Sequence, residues 1–181
     1  MISFLSGEIR NIFTEKSILE INVAGVGYEV VLPSFVMDDL VNEGKKSGEN
    51  IILEIYYHST ERSPKPLLVG FNNQIEKIFF EKIIQVEGVG PLKAVSALIF
   101  PVAIVSQAIE NEDLTILNQM PGIGARAAQK MIATLKGKLI DIISESRSAN
   151  VKESADYLLR DEIIEISVSY THLRAHETAT Y

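Results

Sequence analysis

Four glycines and three cations are the residues best placed to do chemistry in this sequence, and the chemistry they suggest is the capture of an anion. Gly88-Val89-Gly90 is followed by Pro91-Leu92-Lys93, and Gly122-Ile123-Gly124 by Ala125-Arg126-Ala127, with Lys130 further along the same run. A Gly-x-Gly turn whose glycines pass through positive φ lets successive backbone N–H groups, and the start of a following helix, converge on one phosphate. Lys93, Arg126 and Lys130 would add positive charge from the first turns of those helices. Such contacts hold a nucleic-acid backbone in position without reading its bases. No covalent step is implied, and no catalytic residue is assigned.

Helices must carry these turns. Laying residues 83–98 over 117–132 matches Gln85 with Gln119, both glycine pairs, and Ala94 with Ala128, at an offset of 34. A tetratricopeptide array has a similar period, but only two copies exist here and the aromatic positions of that repeat are missing. A tandem helix-hairpin-helix domain over residues 71–142 accounts for the pattern better. Ile75, Ile78, Phe79, Lys82 and Ile83 fit a helical stripe leading into the first hairpin. Ala94, Ala97 and Leu98 follow it, up to a break at Pro101. One helix is expected from there to Asn111, and another through Leu114 and Leu117 into the second hairpin. Ala128, Met131, Ile132 and Leu135 mark a last stripe ending near Gly137.

Residues 1–70 read as β structure. The runs 2–5, 8–12, 18–23, 28–32, 51–57 and 67–69 are rich in β-branched and aromatic residues, and Gly7, Gly25, Gly27, Pro33 and Gly44 separate them. Leu19-Glu20-Ile21-Asn22-Val23 alternates cleanly between one buried and one wet face. Five or six short strands in this length suggest a small barrel, with an OB-like one leading. Gly25-Val26-Gly27 precedes a strand rather than a helix, so it is read as a turn between paired strands. Residues 59–66 carry two prolines and are expected to form an exposed hairpin tip. His58 is placed in or at the end of a strand. Tyr56, Tyr57 and Phe71 could stack on bases, though packing is the expected role. The class is therefore α+β: an OB-fold barrel, an all-α hairpin domain, a linker over 143–160, and an incomplete third domain over 161–181.

Composition narrows the options. The chain has 181 residues, is 46% hydrophobic and has no cysteine, which excludes disulfides, thiolate metal sites and cysteine nucleophiles. No secretion signal or span of roughly 20 apolar residues is visible, so a cytoplasmic protein with no membrane partner is expected. The net charge of -7 argues against nucleic acid as a whole-chain property. Its distribution does not, because residues 71–142 hold 7 basic and 7 acidic side chains. His172 and His176 are four apart beside Glu177 but have no third ligand at useful spacing. No metal or cofactor is expected.

Val23 to Val30, Leu68-Val69-Gly70-Phe71-Asn72-Asn73, Glu87-Gly88-Val89-Gly90-Pro91 and Met120-Pro121-Gly122-Ile123-Gly124, in this order and spacing, resemble the RuvA family over residues 1–139. The resemblance implies a non-catalytic subunit that binds four-way (Holliday) DNA junctions in branch migration, during homologous recombination, DNA repair and the SOS response to DNA damage. It implies an assembly of four copies, with an octamer left open. It also implies a separate RuvB-type motor ATPase and a RuvC-type resolvase as partners. Carried over to this chain, Gly88, Val89, Gly90, Leu92, Lys93, Gly122, Ile123, Gly124, Ala125, Arg126 and Lys130 would contact DNA. Glu61, Arg62, Ser63 and Pro64 would form the hairpin at the junction centre.

Three departures stand out. Ser63 and Pro64 occupy the place of the family's two adjacent acidic residues, with Glu61 nearby. Leu92 stands where a lysine is usual, and Ala125-Arg126 stand where two lysines are usual. Fewer cations imply a shallower salt dependence, each phosphate neutralised contributing roughly 0.9 to the logarithmic slope. Finally, only residues 161–166 resemble the opening of the motor-binding domain, and 167–181 resemble a non-native tail, so loss of the motor contact is expected. The rival reading is a helix-hairpin-helix DNA glycosylase. Its lysine nucleophile would fall on Arg126, whose guanidinium does not deprotonate. Asp141, the downstream acid, lies in an apolar run and is read as a helix-end residue. A nonspecific DNA-binding repair module is the third reading.

Overall fold

Alternation in the first part of the chain resolves into five strands, not six. The computed structural model describes residues 1–60 and 63–144. β1 (Phe4–Phe13) runs straight through Gly7, where the sequence suggested a break, and β2 (Ile18–Val23), β3 (Val26–Val31), β4 (Asn50–Thr60) and β5 (Ser63–Phe71) follow. In β2 the alternating Leu19 and Ile21 are fully buried, as a strand with one dry face requires. Val23 pairs with Val26, leaving Ala24 and Gly25 as a two-residue turn at φ 51° and 87°. This is the hairpin connection whose twist matches its flanking strands.

The strands close into a barrel in the order β1-β2-β3-β5-β4, consistent with an OB fold. Closure depends on β1 changing partners. Residues 8–13 pair with β2 and residues 4–8 with β4. Gly7 sits at the change, where a Cβ would lie 2.3 Å from the Asn22 carbonyl oxygen and 2.9 Å from Val23 Cγ2. Glycine in a strand marks such a close approach of backbones. A register shift between Ile9 and Asn11 adds to the bend.

The tip expected over residues 59–66 is much narrower. β4 reaches Thr60, β5 begins at Ser63, and these two residues pair. Only Glu61 and Arg62 are left between them, outside the described residues. Prolines fit in β5 because β3 meets it at Val31–Val69, so the arm has an edge that needs no ladder donors.

A helix the sequence reading left unassigned, α1 (Ser34–Asn42), buries Phe35, Val36, Met37 and Leu40 in the common core. α2 (Gln74–Ile83) starts on a reciprocal cap. Asn73 accepts the Glu76 N–H at 3.0 Å, and the Glu76 carboxylate accepts from the Asn72 N–H and Asn73 Nδ2, each at 2.9 Å. The buried stripe of α2 differs from the expected one. Ile78 is 37% exposed, while Phe79, Phe80 and Ile83 are fully buried. Phe80 is drawn inward by aromatic neighbours, its ring centroid lying 5.1 Å from those of both Tyr56 and Phe71. Phe71 and Tyr56 thus serve packing, as expected. Lys77 is also buried; its Nζ donates to the Ser3 carbonyl at 2.9 Å and pairs with Glu54 at 3.5 Å. It ties α2 to β4 and to the residue just before β1.

Burial pushes the Glu76 carboxyl up to about 7, with Asp39 adding to the rise and the bonds from Asn72 and Asn73 opposing it. In the unfolded chain its pKa is near 4.5. The folded state therefore holds a proton that the unfolded state has lost between those values. The contribution of Glu76 to stability is greatest below about 4.5 and falls as pH rises through 7. A melting temperature lower at pH 8 than at pH 5.5 is expected, with the difference shrinking in Glu76→Gln. An unchanged difference in that variant would contradict this assignment.

The helices that follow are α3 (Pro91–Ala97), α4 (Val102–Glu110), α5 (Leu114–Leu117) and α6 (Ala125–Leu135), close to the expected bounds, and residues 140–144 are helical again. Residues 1–143 form one compact unit with a continuous hydrophobic core from Leu5 to Ile142. No described helix is long and apolar enough to cross a membrane. The expected linker begins too early, because residues 143 and 144 are still helical; the rest of it, the third domain and the non-native tail concern residues beyond the described ones.

Candidate nucleic-acid interface

The two glycine turns have the same backbone hydrogen bonds, 34 residues apart. In the first, the Val86 N–H donates to Ile83, Val89 to Val86 and Ala94 to Gly90; in the second, Met120 donates to Leu117, Ile123 to Met120 and Ala128 to Gly124, all at 2.9 to 3.2 Å. Gly88 and Gly122 hold φ of 82° and 74°, which only glycine adopts freely. The expectation that both glycines of each pair need positive φ is corrected here. Gly90 and Gly124 are extended, at φ -82° and -89°, and are the N-caps of α3 and α6.

That division assigns each glycine a separate part. The first makes the turn. The second begins a helix without a side-chain cap, so the amides of the first helical turn are left for an outside acceptor. A Cβ on Gly90 or Gly124 would meet nothing within 4 Å. The absence of a side chain at these two positions serves whatever approaches from solvent.

Several expected contact residues take a different place. Val89 and Ile123 are 2% and 3% exposed, and their N–H groups are spent inside the turns. They anchor the hairpins in the core, which is why an apolar residue stands between the glycines. Leu92 is 68% exposed, and Ala125 and Arg126 are also at the surface. Lys93 is half-buried, and its Nζ donates to the Gly88 carbonyl at 3.1 Å. Its Cε would lie 3.6 Å from a Cβ on Gly122, so the first helix reaches the second turn. Lys130, in the second turn of α6 rather than the expected first, reaches back in the other direction, pairing with Glu87 of the first turn at 2.8 Å. Hydrogen bonding and the charge of Lys130 hold the Glu87 carboxyl below its ordinary range. The two turns are thus neighbours, braced by reciprocal lysines.

Glu87 was not singled out from the sequence, and its distance from Lys130 along the chain gives no local signal. A groove of about 620 Å³ also lies beside the first turn, between α3 and the β4–β5 arm, lined by His58, Thr60, Pro66, Leu67, Pro91 and Leu92 among others. Glu61 and Arg62 of the expected junction-centre hairpin lie outside the described residues, as do the side chains of Ser63 and Pro64. Among the described residues no cluster of three or more His, Asp or Glu side chains could hold a metal. His172 and His176 fall outside them.

Comparison with known proteins finds relatives of one family. Residues 1–65 match the family described as RuvA N terminal domain. A Holliday junction branch migration complex subunit RuvA from Desulfosudis oleivorans is 41% identical over 178 residues, covering 98% of this chain and 84% of that protein. The protein of the same name from Desulfatibacillum aliphaticivorans is 43% identical, covering 91% and 80%. The one from Desulforapulum autotrophicum is 45% identical, covering 76% and 63%.

Proposed function

This chain belongs to the RuvA family, and from that premise we propose that it binds four-way DNA junctions, independently of base sequence, as a subunit of a branch-migration complex. The observation that carries the reading is the pair of adjacent turns with identical backbone bonding, each opening a helix whose first amides are uncapped. Each turn would grip one phosphate. Gly90, Leu92 and Lys93 would border the first, and Gly124, Ala125, Arg126 and Lys130 the second, with Gly88, Val89, Gly122 and Ile123 shaping the loops. In this reading the helices over residues 71–142 are a tandem helix-hairpin-helix domain, and the β4–β5 arm carries its tip towards the junction centre.

The subunit itself performs no catalysis. A separate RuvB-type ATPase supplies the motor in the intact family, this chain having lost its contact with it; a RuvC-type resolvase is a further partner, and the compartment is the cytoplasm. Four copies present eight grips. One pair holds a duplex weakly, whereas fourfold repetition makes later contacts intramolecular. A gel-shift comparison is therefore expected to show at least about a hundredfold preference for a four-way junction over a linear duplex of equal length. Equal affinities would overturn the structure-specific reading.

A further inference from the structure

Lys130 is one of the few cations beside the two turns, and a carboxylate holds it. Glu87 stands in the first turn, directly before Gly88, and its Oε2 lies 2.8 Å from Lys130 Nζ. The Glu87 side chain is 85% exposed and that of Lys130 49%. Nothing in the core fixes either one, so the pair can open by side-chain rotation alone. Exposed ion pairs of this kind are weak enough for another anion to displace. A carboxylate oxygen and a phosphate oxygen also make the same charge-assisted bond to an ammonium group.

We propose that Glu87 is an intramolecular stand-in for phosphate, a brake that occupies Lys130 until the DNA backbone displaces it. The proposal rests on the junction-binding reading and deepens it. Displacement leaves the Glu87 carboxylate unpaired next to the incoming phosphate, so the acidic residue opposes binding both before and after the exchange. The brace it forms also joins the first turn to α6, so that release at one turn loosens the contact between both.

The test is the equilibrium affinity for a synthetic four-way junction across a series of salt concentrations, measured for the parent, Glu87→Gln, Lys130→Gln and the double variant. Glu87→Gln is expected to bind about threefold to tenfold more tightly at low salt, with a logarithmic salt slope steeper by up to about 0.9. In the Lys130→Gln background the same change is expected to give a clearly smaller gain, from the removed repulsion alone. An unchanged affinity for Glu87→Gln would overturn the proposal. So would an equal gain in both backgrounds, which would make Glu87 an ordinary repelling charge. A parent that does not distinguish junction from duplex would instead count against the junction-binding reading.

Discussion

Replacing Gly90 and Gly124 together with aspartate is expected to lower affinity for a four-way junction by at least about a hundredfold, while thermal stability holds or rises slightly. Both residues are N-caps with extended backbone, a conformation any residue adopts, and a Cβ at either would meet nothing within 4 Å. Aspartate is among the best N-caps, exceeding glycine by a few tenths of a kcal/mol. Its carboxylate would accept the amides of its own helix, the groups assigned to phosphate, and would repel the phosphate as well. Losing one charge-assisted bond costs about 1.5 to 3 kcal/mol, so two lost grips amount to about 3 kcal/mol or more, roughly a hundredfold. Binding and stability should therefore move apart, an outcome that general damage to the fold cannot produce. The valine pair separates bulk from charge. It should weaken binding by obstructing backbone approach, at a stability cost of about 1 to 2 kcal/mol for the two caps together. If the aspartate and valine pairs both fold and bind like the parent, the turns do not grip phosphate.

The largest effect on stability is expected at Gly7. A Cβ there would fall 2.3 Å from a backbone carbonyl oxygen, that of Asn22, with Val23 and Ile21 side chains at 2.9 and 3.0 Å. A side chain could turn aside, but the Asn22 carbonyl is held where β1 lies against β2. Gly7→Ala should cost about 3 kcal/mol, lowering the melting temperature by about 10 °C. By contrast, Gly27→Ala in the same barrel adds a Cβ that meets nothing within 4 Å and should have a much smaller effect. Thermal denaturation of the two variants checks the contrast; equal losses would refute the close-approach account of Gly7.

The legibility of each part followed the range of its interactions. Each glycine turn is bonded within three or four residues, as with Val89 to Val86 and Ala94 to Gly90, so its pattern survives in the string of letters and repeats at the same offset. The clean alternation of β2 was readable for the same reason. Gly7 looked like a break because its reason for being glycine is a carbonyl on another strand. Ile78 and Phe80 exchanged their expected environments because aromatic partners on β4 and β5 decide which face of α2 is wide. The Glu87–Lys130 pair joins two turns that only tertiary packing brings together. A Gly-x-Gly string also does not reveal which glycine turns the chain and which one leaves room for a ligand.

The barrel seam has a consequence in time as well as in space. Residues 4–8 of β1 meet residues 50–54 of β4, and Lys77 adds a bond from α2 to Ser3. A contact across about forty to fifty residues pays loop-closure entropy before its ladder returns any energy, whereas the glycine turns close over a few residues. Local helical turns are thus expected early during folding and seam closure late. The element that makes the barrel continuous is then its slow step, and the N-terminal strand, first to be synthesised, is among the last to find its final partner.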